Sequence, residues 1–356
     1  MISVRISATT FMILGGASME TYAGIDLHSS NNYLGVINEE DKVLFGKKMP
    51  NDLNKTLMAL DPFKESLKGV VVESTYNWYW LVDGLQENGY KVHLANPSAI
   101  KQYEGLKHTD DKWDALWLGN MLRLGILPEG YIYPKENRPL RDMLRRRILF
   151  VRQRTANILS LQSMITRNLG TRMSGNAIKK LNPSDAEDLF DDANLVFMAQ
   201  NNIEIIHFLK KTIYKIENKI LKEAKLKKEF DLLLTIPGIG KILALTIMME
   251  VGDIRRFPDV GNYSSYCRCV KSQRLSNGKK KGENNSKNGN KYLSWAYVEA
   301  ANFIRRYCIN AQRFHQRKTA KRNQIVATKA LGNKVARASY FVMRDQVPFD
   351  ESRLFK

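Results

Sequence analysis

Four acidic residues fall where predicted strands end and where one predicted helix begins. Asp26 ends the strand of "TYAGIDLHSS", and Glu73 ends the apolar strand of "LKGVVVEST". Asp111 and Asp114 lie in "KHTDDKWDALWLGNML", where their i, i+3 spacing puts both on one helical face. Four carboxylates in a small volume repel one another unless a divalent cation neutralises them, and Mg²⁺ prefers hard oxygen ligands. The pattern predicts a metal site suited to phosphodiester chemistry, in which two ions lie about 3.5–4 Å apart.

The third acid has a competitor, because Asp110 stands directly before Asp111. Asp110 or Thr109 suits the cap of the helix, which leaves Asp111 as the acid in helical spacing with Asp114. Each acid taken alone also fits an ordinary cap or a solvated surface position. The ordered set on two strands and one helix favours a shared site.

A second motif, "TIPGIGKILALTIM", is similar to the loop of a helix-hairpin-helix. Backbone N–H groups of such a loop grip a nucleic-acid phosphate at a helix N-terminus. An ordinary turn between two helices is the alternative interpretation. The residues predicted to make this contact are Pro237, Gly238, Gly240 and Lys241.

A third stretch, "KKKGENNSKNGNKYLSW", places one serine among cations in a loop rich in glycine and asparagine. A serine hydroxyl is a weak nucleophile unless a base, a metal ion or a strongly positive surrounding activates it. On composition alone, Ser286 in this loop is a bystander. The neighbouring cations predicted to contact nucleic acid are Lys279, Lys280, Lys281, Lys287 and Lys291.

The acids require a sheet to hold them, and the first third of the chain supplies its elements. "NYLGVINEEDKVLFGKKM" predicts a hairpin, "YWLVDGLQENGY" a helix that ends at Gly89, and "KVHLANP" another strand. "LKGVVVEST" is nearly all apolar, as in a strand that is covered on both faces. This order of strands and helices predicts a mixed sheet with helices packed against it.

Two long helical patterns follow this sheet. From Arg138 to Leu169 the heptad seams are Leu144, Val151, Ile158 and Ile165, and then Ile148, Thr155, Gln162 and Leu169. A similar spacing from Ile206 to Ile220 predicts a second helix, with residues 171–200 as the connection. The pair predicts a helical hairpin or coiled coil, and two amphipathic helices on a globular core are the alternative. Because the first helix is so rich in arginine, its residues Arg145, Arg146 and Arg147 are predicted to contact a nucleic-acid backbone.

The charge of the chain indicates a polyanionic partner. The formal net charge is +20, and residues 268–344 hold 19 Lys and Arg against two acids. Such a field suits DNA or RNA, whose counterions are released on binding. The three cysteines form no zinc-binding set, and no apolar run is long enough to span a membrane. We therefore expect a cytoplasmic protein in which residues 1–18 are an extended start or a loose tail.

Taken in order, these motifs resemble the DEDD-type insertion-sequence transposases, the bridge-RNA-guided recombinases that also include the Piv-type DNA invertases. The resemblance rests on "YAGIDLHSSN", "VVVESTYNWYWLVDGLQENGYKVHLANP", "KHTDDKWDA", "LLLTIPGIGKILALTIMMEVGDIRRF", "SKNGNKYLSWAYVEAA" and "VPFDES". It implies an α/β plus α chain with an RNase H-like (RuvC-like) domain at residues 19–135. A helical, coiled-coil segment at residues 136–230 and a mainly helical C-terminal transposase domain at residues 231–356 would follow.

The resemblance also implies what these residues do. Ser286 matches the serine that attacks DNA and forms a covalent phosphoserine linkage. The chain departs from the family pattern at Ser294-Trp295, where arginine is common, which puts a phosphate or RNA contact there in doubt. The residues that match the metal-binding acids of the family are Asp26, Glu73, Asp111 and Asp114.

Partners follow from the same resemblance. It implies donor and target DNA, a structured non-coding guide RNA that pairs with both, and a location at the nucleoid of a prokaryote. It also implies a homo-oligomer, a dimer or tetramer in a synaptic complex, in which the acids and the serine can come from different subunits.

The leading hypothesis is a DNA recombinase that uses Mg²⁺ at the four acids and Ser286 as the nucleophile. One alternative is a RuvC-like nuclease whose acids activate water while Ser286 only contacts phosphate. The other is a non-catalytic helix-hairpin-helix protein that binds nucleic acid.

Overall fold

The chain forms two compact units that divide between Ile132 and Tyr133. The structure, a computed structural model, describes residues 19–100, 110–224, 228–270, 274–282 and 288–355. The predicted tail at residues 1–18 lies outside the described residues. The predicted boundary between residues 230 and 231 stays a prediction. Each unit is described by itself below.

A five-stranded mixed sheet forms the centre of the first unit. The strands are β1 (Thr21–Leu27), β2 (Asn31–Asn38), β3 (Val43–Pro50), β4 (Leu67–Glu73) and β5 (Val92–Ala95). Their order in the sheet is β3-β2-β1-β4-β5; β2 is antiparallel to both β1 and β3, and β4 is parallel to both β1 and β5. This topology agrees with the predicted RNase H-like fold.

The apolar pattern of the strands explains why β1 and β4 are central. The four residues of β4 from Gly69 to Val72 are buried, as expected for a strand that is covered on both faces. The predicted hairpin of β2 and β3 is confirmed, and the helix before Gly89 is confirmed as well. The helices of this unit are α1 (Leu53–Leu60), α2 (Tyr79–Glu87) and α3 (Asp111–Arg123).

Gly24 in β1 allows α3 to lie directly on the sheet. A Cβ atom at Gly24 would stand 2.0 Å from the backbone oxygen of Ala115 and 2.7 Å from the backbone nitrogen of Gly119. No side-chain movement relieves a clash with backbone atoms, so any larger residue pushes the helix away from β1. Gly24 therefore sets the distance between the end of β1 and the start of α3.

We expect Gly24→Ala to lower the free energy of unfolding of the first unit by about 3 kcal/mol, at the upper end of overpacking costs. Denaturant unfolding followed by tryptophan fluorescence measures it. Gly119→Ala is the matched control, since its Cβ would have no neighbour closer than 3.4 Å. An equal loss in both variants would contradict the close-approach explanation.

Two long amphipathic helices, α4 (Arg138–Leu169) and α7 (Ala193–Glu223), pack against each other in the second unit. The first predicted seam is largely buried, but Thr155 and Leu169 of the second seam are exposed. The predicted connection at residues 171–200 was too long. Asp192 accepts hydrogen bonds from the backbone N–H groups of Asn194 and Leu195, so this cap starts α7 earlier. The true connection carries α5 (Gly175–Ile178) and α6 (Asp185–Leu189).

The rest of the second unit is mainly helical around α9 (Lys241–Val251), which is buried on all sides from Leu243 onward. One correction concerns the lysines at 279–281, which were predicted in a loop but lie in a strand. Asn277 and Gly278 both have positive φ, the backbone of a tight hairpin turn. The elements are α8 (Lys228–Leu234), α9 (Lys241–Val251), α10 (Val260–Tyr266), β6 (Arg274–Ser276), β7 (Lys279–Gly282), α11 (Lys291–Tyr307), α12 (Ile309–Lys321), α13 (Gln324–Asp345) and α14 (Glu351–Leu354). Among the described helices, none is long and apolar enough to cross a membrane.

Candidate active site

Asp26 and Glu73 meet because the parallel strands β1 and β4 end at the same edge of the sheet. Ile25 pairs with Val72 in the register, so the next residue on each strand is one of the two acids. Asp26 is 3% exposed, and the Glu73 carboxyl group hydrogen bonds to its carboxylate. Two acids that share a hydrogen bond in a buried place hold one proton between them.

The start of α3 brings two more acids to this edge. The side chain of Asp110 accepts a hydrogen bond from the backbone N–H of Trp113 at 2.7 Å, so the predicted cap is confirmed. Asp111 and Asp114 form the first turn of the helix, and Asp114 is close enough to Asp26 for their charges to interact. The close packing at Gly24 is what allows this approach.

Two residues of the site were missed by the sequence argument. The Nε2 atom of His28 lies 3.0 Å from Asp26 Oδ2 and 3.2 Å from Asp111 Oδ1. The Nζ atom of Lys48 on β3 lies 2.8 Å from Asp111 Oδ2. His28 follows Asp26 by two residues in "GIDLHSS", a signal that was present, whereas Lys48 is brought near only by the pairing of β2 with β3.

Burial and the crowding of like charges set the protonation of the site. Burial, the hydrogen bond to Asp26 and the charges of Asp26 and Asp114 raise the pKa of Glu73 to about 8. Burial and the nearby carboxylates raise the pKa of Asp114 to about 6. The hydrogen bond from Lys48 lowers the pKa of Asp111. At neutral pH Glu73 is therefore protonated. This proton reduces the negative charge of the site, as a bound cation would.

The donor set fits a divalent metal ion. Ligand atoms of Asp26, His28 and Asp111 lie within 4.8 Å of one another, and Glu73 and Asp114 add two further carboxylates beside Asp26. The carboxylate oxygens suit hard cations such as Mg²⁺ and Mn²⁺. The resident charges fit as well, since burial and mutual repulsion raise the pKa values of Glu73 and Asp114 and a cation would relieve the repulsion.

The arginines predicted to bind nucleic acid have different surroundings in the second unit. Arg145 donates to the buried carboxylate of Glu250, with Nε 2.6 Å from Oε1. Arg147 donates to Glu217 at 2.7 Å, and Arg146 is exposed. Within the described residues, Arg145 and Arg147 therefore hold the fold together, and Arg146 faces solvent.

The predicted helix-hairpin-helix loop connects α8 to α9. Gly240 and Lys241 are exposed at the start of α9, and no side chain caps this helix. Pro237 is half-buried, while Gly238 has φ +90 and its Cβ would stand 2.6 Å from the backbone nitrogen of Ile304. Close packing on α11 thus accounts for Gly238, and the phosphate contact stays a prediction.

The cations around the serine lie in two elements. Lys279 and Lys281 are exposed on β7, Lys280 is in the same strand, and Lys291 is exposed at the start of α11. Ser286 and Lys287, the predicted nucleophile and its neighbour, lie outside the described residues. The exposed lysines nearest to Ser286 in the described residues therefore face solvent: Lys279 and Lys281 precede it, and Lys291 follows it.

Two protein-family models match the chain in the order of its two units. One, a model of DEDD transposases described as Transposase, covers residues 23–168. The other, described as Transposase IS116/IS110/IS902 family, covers residues 230–317. The chain belongs to the IS110-family transposases. Among curated proteins, none matches it.

The IS110-family assignment gives the acid cluster its chemical context. An IS110-family transposase is an enzyme that acts on DNA in transposition and recombination, and it carries a DEDD-type metal site. Asp26, Glu73, Asp111 and Asp114 all lie within the residues that the DEDD model covers. The mixed sheet with acids at one edge and the mainly helical C-terminal region agree with this family.

We expect this transposase to release about one proton when it binds Mg²⁺ near pH 7. Glu73, with a pKa of about 8, is protonated there in the metal-free protein and must lose its proton to become a ligand. Between pH 6 and pH 8, affinity should then rise by about tenfold per pH unit, and the rise should be steeper below pH 6, where Asp114 is protonated as well. Calorimetry in buffers with different ionisation enthalpies counts the protons. Glu73→Gln should abolish the release, and an unchanged count in that variant would contradict the assignment.

Proposed function

We propose that the chain cuts and rejoins DNA at the ends of an insertion sequence through a serine nucleophile, Ser286, guided by a non-coding bridge RNA. In this proposal Asp26, Glu73, Asp111 and Asp114 hold Mg²⁺. The proposal thereby places the chain with the serine-using recombinases that include the Piv-type DNA invertases. The enzyme works as a homo-oligomer on donor and target DNA.

The convergence of four carboxylates and His28 at one sheet edge is the observation that carries the proposal. Such a cluster has little structural benefit, because burial and repulsion raise the pKa of Glu73 to about 8. Perturbed acids of this kind are typical of functional sites. A divalent ion at this place would neutralise the carboxylates and polarise a phosphate group of DNA.

The proposed step is a transesterification at phosphorus. The Oγ atom of Ser286 forms a bond to the phosphorus, and the bond from phosphorus to one deoxyribose oxygen breaks. The proton that the serine hydroxyl loses is balanced by the proton that the leaving hydroxyl gains. Attack of a hydroxyl from another strand reverses these changes and frees Ser286. One ester replaces another, so the exchange needs no high-energy cofactor.

Charge supports the nucleic-acid part of the proposal. Residues 268–344 hold 19 Lys and Arg against two acids, and Ser286 lies within that range and within the residues matched by the second family model. A positive surrounding lowers the cost of forming an alkoxide and brings phosphate close. The exposed residues proposed to contact nucleic acid include Arg146, Gly240, Lys241, Lys279, Lys281 and Lys291.

Mapping of a covalent protein–DNA adduct tests the nucleophile. The protein, with the RNA that co-purifies, reacts with a duplex that spans one end of the insertion sequence and is nicked so that religation fails. We expect a covalent adduct, and mass spectrometry should show that the peptide linked to DNA contains Ser286. Cleavage without any adduct would favour the nuclease that activates water, and a link to another residue would remove Ser286 from its role.

Sequencing of co-purified RNA tests the guide. We expect one discrete RNA with segments complementary to donor and target DNA. A mixture without such a species would contradict the RNA-guided version while leaving the serine chemistry to the adduct experiment.

A further inference from the structure

We propose that Glu250 and Asn290 are positioning residues that fix the chain beside Ser286 and tie it to α4. The inference rests on the proposed function for its catalytic readout, and a second readout is independent of it. The acid at 250 lies outside the acid cluster of the first unit and belongs to the helical second unit.

Glu250 is a charged residue inside an apolar helix. It is 1% exposed on α9, whose other buried residues are nearly all apolar. Its carboxylate accepts hydrogen bonds from Arg141 Nε at 3.1 Å, Arg145 Nε at 2.6 Å and Asn290 Nδ2 at 2.7 Å. Buried ion pairs are poor sources of stability compared with apolar packing, so their benefit is often a fixed geometry. The geometry fixed here joins α4, α9 and the start of α11.

Every polar group of Asn290 has a partner. Its side-chain oxygen accepts from the backbone N–H groups of Tyr292 and Leu293, which caps α11. Its backbone N–H donates to the Tyr266 carbonyl at 2.6 Å. The cap orients the amide so that Nδ2 faces Glu250. Asn290 therefore has one orientation in which both the helix cap and the buried carboxylate are satisfied.

The preceding residue is fixed as well. Gly289 has φ +87, and a Cβ there would stand 2.5 Å from the Tyr266 carbonyl oxygen. Its own carbonyl accepts from Arg268 Nε at 2.9 Å. Gly289 and Asn290 are thus held by the last residue of α10, Tyr266, and by Arg268 just after it.

This anchor is close to the proposed nucleophile along the chain. Ser286 precedes Gly289 by three residues, a stretch that spans at most about 11 Å. A displacement of the anchor by 1 Å is enough to lower the rate of a reaction that depends on alignment. The network therefore connects the long helix α4, through Arg141 and Arg145, to the residues that directly follow Ser286 in the chain.

Asn290→Asp separates the two roles of Asn290. Aspartate caps a helix as well as asparagine does, so α11 should keep its start. The new carboxylate faces Glu250 and repels it. We expect the rate of adduct formation with the nicked duplex to fall at least about tenfold at saturating DNA, with unchanged DNA affinity. The melting temperature should fall as well, because the two carboxylates that repel each other are both buried. The double variant E250Q with N290D exchanges the amide and the carboxylate, so that one negative charge remains and lies at residue 290. Because the repulsion is removed, it should recover most of the rate.

Asn323→Asp is the matched control. Asn323 is exposed and caps α13 through the backbone N–H of Val326, with the same change of charge in the same basic region. It should react like the wild type. Equal rates in wild type and Asn290→Asp, or an equal loss in the Asn323 control, would overturn the inference.

A nitroxide label at Ser286→Cys gives the readout that does not depend on serine chemistry. Cys267 and Cys308 are buried, and burial raises the pKa of the Cys269 thiol to about 12, so the label goes mainly to residue 286. With the same duplex bound, we expect label mobility to rise in Asn290→Asp and to return in the double variant. Unchanged mobility would overturn the anchor even if Ser286 proves to be the nucleophile. A mobility change together with cleavage by Ser286→Ala would keep the anchor and reject the serine mechanism.

Discussion

Asp26→Asn should lower the rate of DNA cleavage by about a thousandfold, which corresponds to about 4 kcal/mol of transition-state stabilisation. Asp26 is the most buried acid of the cluster and the one that contacts both Glu73 and His28. An amide keeps the shape of the side chain but offers one oxygen and no charge. Single-turnover cleavage of the duplex at saturating protein measures the chemical step apart from DNA binding.

Stability distinguishes this effect from misfolding. Asp26→Asn removes one of several mutually repelling carboxylates, so the melting temperature in metal-free buffer should stay equal or rise. Mg²⁺ should then raise the melting temperature less in the variant than in the wild type, because ligand binding stabilises the folded state by mass action. A clear loss of stability without metal would indicate a structural role for Asp26 instead.

Asp110→Asn is the control for the loss of a nearby charge. Asp110 is exposed and caps α3, a position where asparagine serves as well as aspartate. The cleavage rate of this variant should stay within about twofold of the wild type. The carboxylate of Asp110 accepts a hydrogen bond from the backbone N–H of Trp113, and the asparagine can accept the same bond. A thousandfold loss in this variant too would mean that total charge, and not the cluster, controls the rate.

The position of each acid in the cluster could be predicted from the sequence, because local rules determine where each acid lies on its strand or helix. Apolar runs place Asp26 and Glu73 at strand ends, and helix spacing joins Asp111 to Asp114. The spacing of Asp110 before the first turn predicts its cap. Only Gly24 adds something that spacing does not show, namely that the helix lies close enough to β1 for the two pairs to meet.

The other parts of the site and fold depend on contacts between residues that are far apart in the sequence, and these could not be predicted. Arg145 and Glu250 are 105 positions apart, so a cluster of arginines looked like a surface for nucleic acid although Arg145 faces a buried carboxylate. Lys48 approaches Asp111 across 63 positions. Charge patterns in a sequence give the sign of a residue but not its partner. The hairpin turn at Asn277-Gly278, in contrast, carried a strong local signal that was overlooked.

Ser286→Ala should abolish the covalent protein–DNA adduct and lower cleavage by about a thousandfold or more, since no other group replaces a lost nucleophile. DNA affinity should change little, because one hydroxyl contributes little beside the 19 Lys and Arg of residues 268–344. Gel separation of adduct from free DNA, with binding measured on the same duplex, gives both quantities. Full cleavage by this variant would sink the serine mechanism in favour of activated water.

Ser276→Ala is the matched control for that change. Ser276 is an exposed serine of β6 in the same basic region, and its loss should leave both adduct and cleavage unchanged. Ser286→Ala should also keep the release of about one proton on Mg²⁺ binding, because the acids of the first unit are untouched. Asp26→Asn has the opposite profile, with Ser286 intact and metal binding impaired. Since each variant removes one function and keeps the other, their combination separates a defect in the metal site from a defect in the nucleophile.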